Sequence, residues 1–177
     1  MRICIAGTSS GCGKTTASLL LMAALREKGL DVAPCKVGPD YIDTGFHELV
    51  CGRPSHNLDS FLIEPKDLLL LLSRPADITV IEGVMGFYDG VSGTTDTASA
   101  AHLARVTGTP AVLIVRPKGQ SLSLAAELYG FRIFAENTLA GVILIGVSAG
   151  MYPFYKQIAE KAGFPVLGFL PPVPEAE

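Results

Sequence analysis

Short apolar runs alternate along this chain with stretches whose apolar residues recur every three or four positions. Residues 2–6, RICIA, form a run too short for a helix and read as a strand. Residues 14–28 follow with a helical pattern, apolar through 19–25, and Gly29 supplies the C-terminal stop. A short strand is expected over 32–35 and a helix over 65–72, with proline in its first turn. Residues 78–81, ITVI, are all β-branched and read as a strand. A helix over 96–106, capped by an aspartate or threonine, precedes a strand over 111–115. A helix over 121–131, a strand over 142–144, a helix over 151–161 stopped by Gly163, and a strand over 166–169 complete the pattern. This alternation predicts an α/β fold: a mainly parallel sheet, helices on both faces, and right-handed crossovers. No repeat or linker interrupts it, so residues 1–177 read as a single nucleotide-binding domain. The end, Pro171-Pro172-Val173-Pro174 followed by Glu-Ala-Glu, looks like the exit from a domain.

The junction between the first strand and the first helix adds chemistry. Residues 7–16 read GTSSGCGKTT. A polyphosphate needs many backbone N–H donors at close range. Gly11 and Gly13 let the chain turn with no Cβ in the way, and a helix beginning near Lys14 aims its free N–H groups and positive dipole end at the phosphates. Thr8, Ser10, Gly11, Cys12, Gly13, Lys14, Thr15 and Thr16 are the candidate nucleotide contacts. Lys14 would bridge the outer phosphates, and the Thr15 hydroxyl would bind Mg²⁺. Gly7 stands one residue further from Gly13-Lys14 than the usual G-x4-G-K-[ST] spacing allows. A loop lengthened this way resembles those of dethiobiotin synthetase and the partitioning ATPases. Ser9 stands where the switch-type ATPases carry a signature lysine, which favours a ligase over a dimerising switch. No NKxD-type guanine reader is present.

Phosphoryl transfer needs metal held against phosphate, and metal needs carboxylates. Asp40 and Asp43 follow the second strand in KVGPDYIDTGFH, and Glu82 ends the strand ITVI. In an open parallel sheet the ligand lies at the carboxyl ends of the strands. Thr15, Asp40 and Glu82 are therefore the candidate metal ligands, with Asp89 expected at the same rim. Aspartate after Gly-Pro also favours turns with no catalysis at all, so both readings of Asp40 and Asp43 stay open. Lys36 ends its strand, either as a second cation for a transferred phosphate or as a solvated strand end.

Apolar residues make up 49% and charged residues 18% of the chain, as a sheet buried on both faces requires. A net charge of -3 argues against general nucleic-acid binding. No apolar run approaches the ~18 residues needed to cross a bilayer, and the first residues lack the apolar core of a signal peptide. Cys4, Cys12, Cys35 and Cys51 are scattered without a CxxC pair, which suits reduced thiols in the cytoplasm rather than zinc.

Taken in order, GTSSGCGKTT, KVGPDYIDTGFH, GRPSHNLDSFL and IEGVMGFYDG resemble the N-terminal ATP-dependent synthetase domain of the cobyrinic acid a,c-diamide synthase family, over nearly the whole chain. KVGPDYID is the specific part. The resemblance implies a P-loop NTPase fold of the dethiobiotin synthetase type. It also implies a reaction in cobalamin biosynthesis: ATP and Mg²⁺ phosphorylate the a and c carboxylates of a corrinoid or related tetrapyrrole, and ammonia displaces the phosphate. Thr15, Asp40 and Glu82 would hold the metal. Lys36, Tyr41, Asp43 and Asp89 would face the carboxylate and the ammonia, with Arg53, His56 and Asn57 beside the macrocycle. Such proteins usually continue into a glutamine amidotransferase domain, and a domain or subunit of that kind is the expected ammonia source. No cysteine here sits in a nucleophile-elbow context. A homodimer is a further expectation. Amidation of nickel-sirohydrochlorin and a switch-type ATPase without amidoligase activity are the alternatives. The chain departs from the family at Ile145, where an asparagine is frequent, at Arg116, where an aspartate is, and at His56 and Phe61, in place of Arg and Trp.

Overall fold

The computed structural model describes residues 1–172, so the Val173-Pro174 and Glu-Ala-Glu end lies outside the described residues. Its sheet is seven-stranded, in the order β3-β2-β4-β1-β5-β6-β7, and every strand pairing is parallel. The elements are β1 (Arg2–Gly7), α1 (Lys14–Glu27), β2 (Val32–Val37), α2 (Ile42–Cys51), β3 (His56–Leu58), α3 (Pro65–Leu72) and β4 (Ile78–Glu82). They continue with α4 (Ala100–Thr107), β5 (Ala111–Val115), α5 (Ser123–Ile133), β6 (Leu139–Ile145), α6 (Tyr152–Lys161) and β7 (Val166–Leu170).

The sheet is buried from both sides. Ile5, Met22, Val32, Cys51, Val80, Val112 and Ile114 pack beneath α1 and α2. Cys4, Cys35, Val37, Leu58, Ile81, Phe87 and Leu113 pack beneath α3 to α6. Side chains alternate faces along a strand, so Lys36 shares the face of Val32, and Glu82 shares that of Val80. Both charges therefore project toward α1 and α2. The register sets Lys36 opposite Glu82 on the neighbouring strand.

Two elements were not anticipated from the sequence: α2, which occupies the stretch read as an acidic loop, and the three-residue β3. The helix expected from residue 96 begins only at Ala100. Ala98 has a φ of 64°, a left-handed conformation that stops helix growth. The cap is Ser99 rather than an aspartate or threonine, and its Oγ accepts from the His102 N–H at 3.1 Å.

Leu113 on central β5 is fully buried, whereas Leu49 on α2 is 82% exposed. Leu113→Ala should lower unfolding free energy by about 2–5 kcal/mol in urea titrations, and Leu49→Ala should stay within about 0.5 kcal/mol of the parent.

Candidate functional site

The site forms where β1, β2 and β4 end side by side. Between β1 and α1 the loop turns through Gly11 (φ 69°) and Gly13 (φ 99°). At Gly13 the positive φ is what requires glycine, since an added Cβ would meet only the movable end of the Ile145 side chain. Lys14 folds back along the loop, its Nζ donating to the Ser9 carbonyl at 3.0 Å. Burial, aided by the neighbouring Lys36, draws the Lys14 amine below the usual lysine range.

Glu82 is fully buried, and its two oxygens have separate partners. Oε1 accepts from Thr15 Oγ1 at 2.6 Å and from Lys36 Nζ at 2.9 Å. Oε2 is 2.7 Å from His47 Nε2. Burial alone would raise its pKa, but the His47 hydrogen bond, the Lys36 charge and the Thr15 hydroxyl overcome that and hold it at about 2. Lys36 also meets Asp43 Oδ2 at 2.5 Å, the Gly83 carbonyl at 3.2 Å, and Asp40 Oδ2 at 3.9 Å. Its burial opposes the charge, yet Glu82 and Asp43 outweigh that and lift its pKa above the usual lysine value.

Asp40 does what its turn chemistry suggests and something more. Its Oδ1 accepts from the backbone N–H groups of Ile42 and Asp43, each at 2.9 Å, which caps α2. Its other oxygen remains on the Lys36 side. Ser10, Gly11, Gly13, Lys14, Thr15, Thr16, Lys36, Asp40, Asp43 and Glu82 line a single cavity of about 310 Å³. Lys36 is thus a buried paired cation, not a solvated strand end.

Other expected residues lie apart. Cys12 is buried beneath the loop, and Thr8 ties the loop to β5 through its N–H to the Ile114 carbonyl at 3.3 Å. Tyr41 is 86% exposed and lines no part of this cavity. Asp89 accepts from the Gly86 N–H at 2.7 Å and lines an adjoining cavity of about 550 Å³ that shares Met85 with the first. Asn57 pairs in register with Lys36 and so shares its face. Arg53 and His56 lie away from this cavity. Arg53 Nη1 bonds Asp31 Oδ1 at 2.8 Å, ahead of β2 and thus at the opposite rim. His56, in register with Cys35, lies on the other face of the sheet and contacts Arg74. Their ion-pair and hydrogen-bond partners hold both away from the phosphate cavity. His47, fully buried, was missed. The signal was available: Asp43 and His47 are four residues apart, hence on one face of a helix.

Thr15, Glu82 and the second oxygen of Asp40 are hard oxygen donors, a set that suits Mg²⁺. Among the described residues no group of three or more His, Cys, Asp or Glu forms a metal site by itself. A divalent ion here would therefore share its coordination with nucleotide phosphates and water.

Residues 3–177 match the family described as the CobQ/CobB/MinD/ParA nucleotide binding domain. The chain belongs to this family. The resemblance read from the motifs also holds over nearly the full length of this chain. The chain is 47% identical over 174 residues to the cobyrinate a,c-diamide synthase of Salmonella typhimurium, covering 95% of this chain and 38% of that protein. It is 45% identical to the hydrogenobyrinate a,c-diamide synthase of Streptomyces coelicolor, covering 96% of this chain and 36% of that one. The chain thus spans under two fifths of the length of these relatives. Among solved structures, a ParA family ATPase from Chlorobium tepidum aligns with a TM-score of 0.61 at 15% identity, over 99% of this chain and 86% of that one. The MinD cell division protein of Aquifex aeolicus aligns at 0.60 and 17%, over 98% and 83%. These likenesses establish the α/β P-loop NTPase fold. No helix among the described residues is long and apolar enough to cross a membrane.

The Glu82 carboxyl has a folded pKa of about 2 against an ordinary 4.5, so it stabilises the fold above pH 4.5 and loses that contribution as pH falls toward 2. The thermal midpoint should drop across this window. Glu82→Gln, with no proton to gain, should show a shallower drop by scanning calorimetry; equal slopes would refute the assignment.

Proposed function

We propose that this domain uses ATP and Mg²⁺ to phosphorylate carboxylates of a tetrapyrrole and then passes the acyl phosphate to ammonia. On this reading it carries out the synthetase half-reaction of a cytoplasmic a,c-diamide synthase. A glutamine amidotransferase domain or subunit supplies the ammonia. The observation that carries the reading is the convergence of Lys14 and Lys36 with Thr15, Asp40, Asp43 and Glu82 on one cavity. The names of the relatives supply the substrate class.

A carboxylate is a poor electrophile, because its charge repels nucleophiles and it lacks a leaving group. Phosphorylation supplies one. The attacking carboxylate oxygen forms a bond to the γ-phosphorus, and the bond from that phosphorus to the β-γ bridging oxygen breaks, releasing ADP. Ammonia then attacks the acyl carbon, phosphate departs, and a proton is lost from nitrogen. Two anions must meet for the first step. Lys14, whose one hydrogen-bond partner among the described residues is a neutral carbonyl, faces the place of the γ-phosphate. Lys36, fixed by Glu82 and Asp43, draws the incoming carboxylate to the same place. Asp43 lies where an ammonium ion could lose its proton. Thr15, Glu82 and Asp40 would hold Mg²⁺, which when bound neutralises the triphosphate. The fold shared with ParA and MinD raises a switch ATPase as the other reading, and Ser9 in place of a loop lysine weighs against it.

The test measures phosphate release and amidated product with cobyrinate, ammonium, ATP and Mg²⁺, singly and together. Release should be slight from ATP alone, and release coupled to diamide should appear with the full mixture. Fast turnover without cobyrinate would favour the switch. Asp40→Asn keeps the α2 cap but removes a charge, and Glu82→Ala removes a ligand. Each should lower coupled turnover by about 100-fold or more, and near-parental rates at low Mg²⁺ would remove the metal assignment.

A further inference from the structure

We propose that His47 is a positioning residue whose imidazole fixes the Glu82 carboxylate so that Oε1 is presented to Thr15 and the cavity. This rests on the reading above that Thr15 and Glu82 hold the magnesium of the nucleotide.

The two oxygens of Glu82 are held from opposite sides. Oε1 faces Thr15 Oγ1 at 2.6 Å and Lys36 Nζ at 2.9 Å, whereas Oε2 meets His47 Nε2 at 2.7 Å. The last torsion of a glutamate is broad when nothing restrains it. Here rotation would break bonds at both oxygens. A carboxylate offers only lone pairs, so Nε2 carries the hydrogen. Nδ1 lies 3.1 Å from Ser55 Oγ, which holds the far side of the ring. The ring is therefore tethered at both nitrogens, and it is fully buried.

His47 does not line the phosphate cavity, so it acts through Glu82 rather than on a ligand. Its place on α2 explains how the helix serves the site. Asp43 and His47, one helical turn apart, reach Lys36 and Glu82, which sit opposite each other on β2 and β4. The helix thus clamps both members of the buried pair with two side chains from one face.

The assay is binding of a fluorescent ATP analogue to the 177-residue chain across a Mg²⁺ titration, with folding followed by circular dichroism. His47→Leu removes the donor at similar size, and His47→Gln keeps an N–H near the Nε2 position. His47→Leu should need about 10-fold or more Mg²⁺ for half-saturation, with affinity in chelator unchanged. His47→Gln should recover most of that loss. Parental Mg²⁺ dependence in a folded His47→Leu overturns the proposal, and so does an equal loss in both variants. Should His47→Leu not fold, Ser55→Ala, which frees the far side of the ring, should raise the Mg²⁺ requirement, and an unchanged requirement overturns the proposal. Glu82→Gln run alongside separates the two claims. No change there removes the metal reading, whereas a loss there with none in His47→Leu removes only the positioning role.

Discussion

A lysine and a glutamate, 3% and 0% exposed, face each other on neighbouring strands at the carboxyl end of a parallel sheet, and the rim of this fold is organised around that pair. Charges in a core are costly unless each is matched and hydrogen-bonded. Lys36 and Glu82 match each other, but each has capacity left over. Thr15 from α1, Asp43 and His47 from α2 and the Gly83 carbonyl absorb it. The requirement reaches outward. It seats α2 on β2 and β4, and it draws the first turn of α1 toward the end of β4. The same groups that satisfy the buried charges are those that would meet phosphate, metal and carboxylate. Stability and chemistry thus depend on one set of contacts.

What the sequence reveals of this arrangement follows from which residues each element buries. Helix α3 and strand β5 are legible to the residue, because proline at the first turn and a wholly apolar run mark their limits. Helix α2 is illegible by the same rules. Its buried residues are His47 and Cys51, while Ile42 and Leu49 are largely exposed and Phe46 is half-exposed. A search for an apolar face toward the core therefore meets a stripe on the wrong side, with Gly45 in the middle. GPDYID reads as a turn because it is one: the Asx-type bonds from Asp40 make the turn that starts the helix. The chemistry was easier to see than the element, since an acid ending an apolar strand stands out wherever its neighbours fold. Arg53 and His56 show the converse. Their residue types suit a polyanion, but strand parity and chain position decide where they point, and β3 is too short to announce its parity.

The two lysines illustrate how position divides labour between identical side chains. Lys36 sits within reach of three carboxylates, so its charge is locked in place and its pKa is raised. Lys14 sits at the mouth of the first helix with a carbonyl for company, and burial lowers its pKa. An anion entering the cavity satisfies Lys14 more than Lys36. On the proposed reading the first would receive charge arriving with the nucleotide, while the second is already committed to the acidic cluster.

Gly13 joins this polar cavity to a different one. Gly11, Gly13 and Thr16 also line a space of about 110 Å³ whose other walls include Leu20, Ile145, Leu170 and the two prolines that follow β7. The end of the Ile145 side chain packs against Gly13. The loop then separates a cavity lined by lysines and carboxylates from a smaller one lined by apolar side chains together with Arg116. Because Gly11, Gly13 and Thr16 line both spaces, the left-handed turns at the two glycines set the shape of each at once.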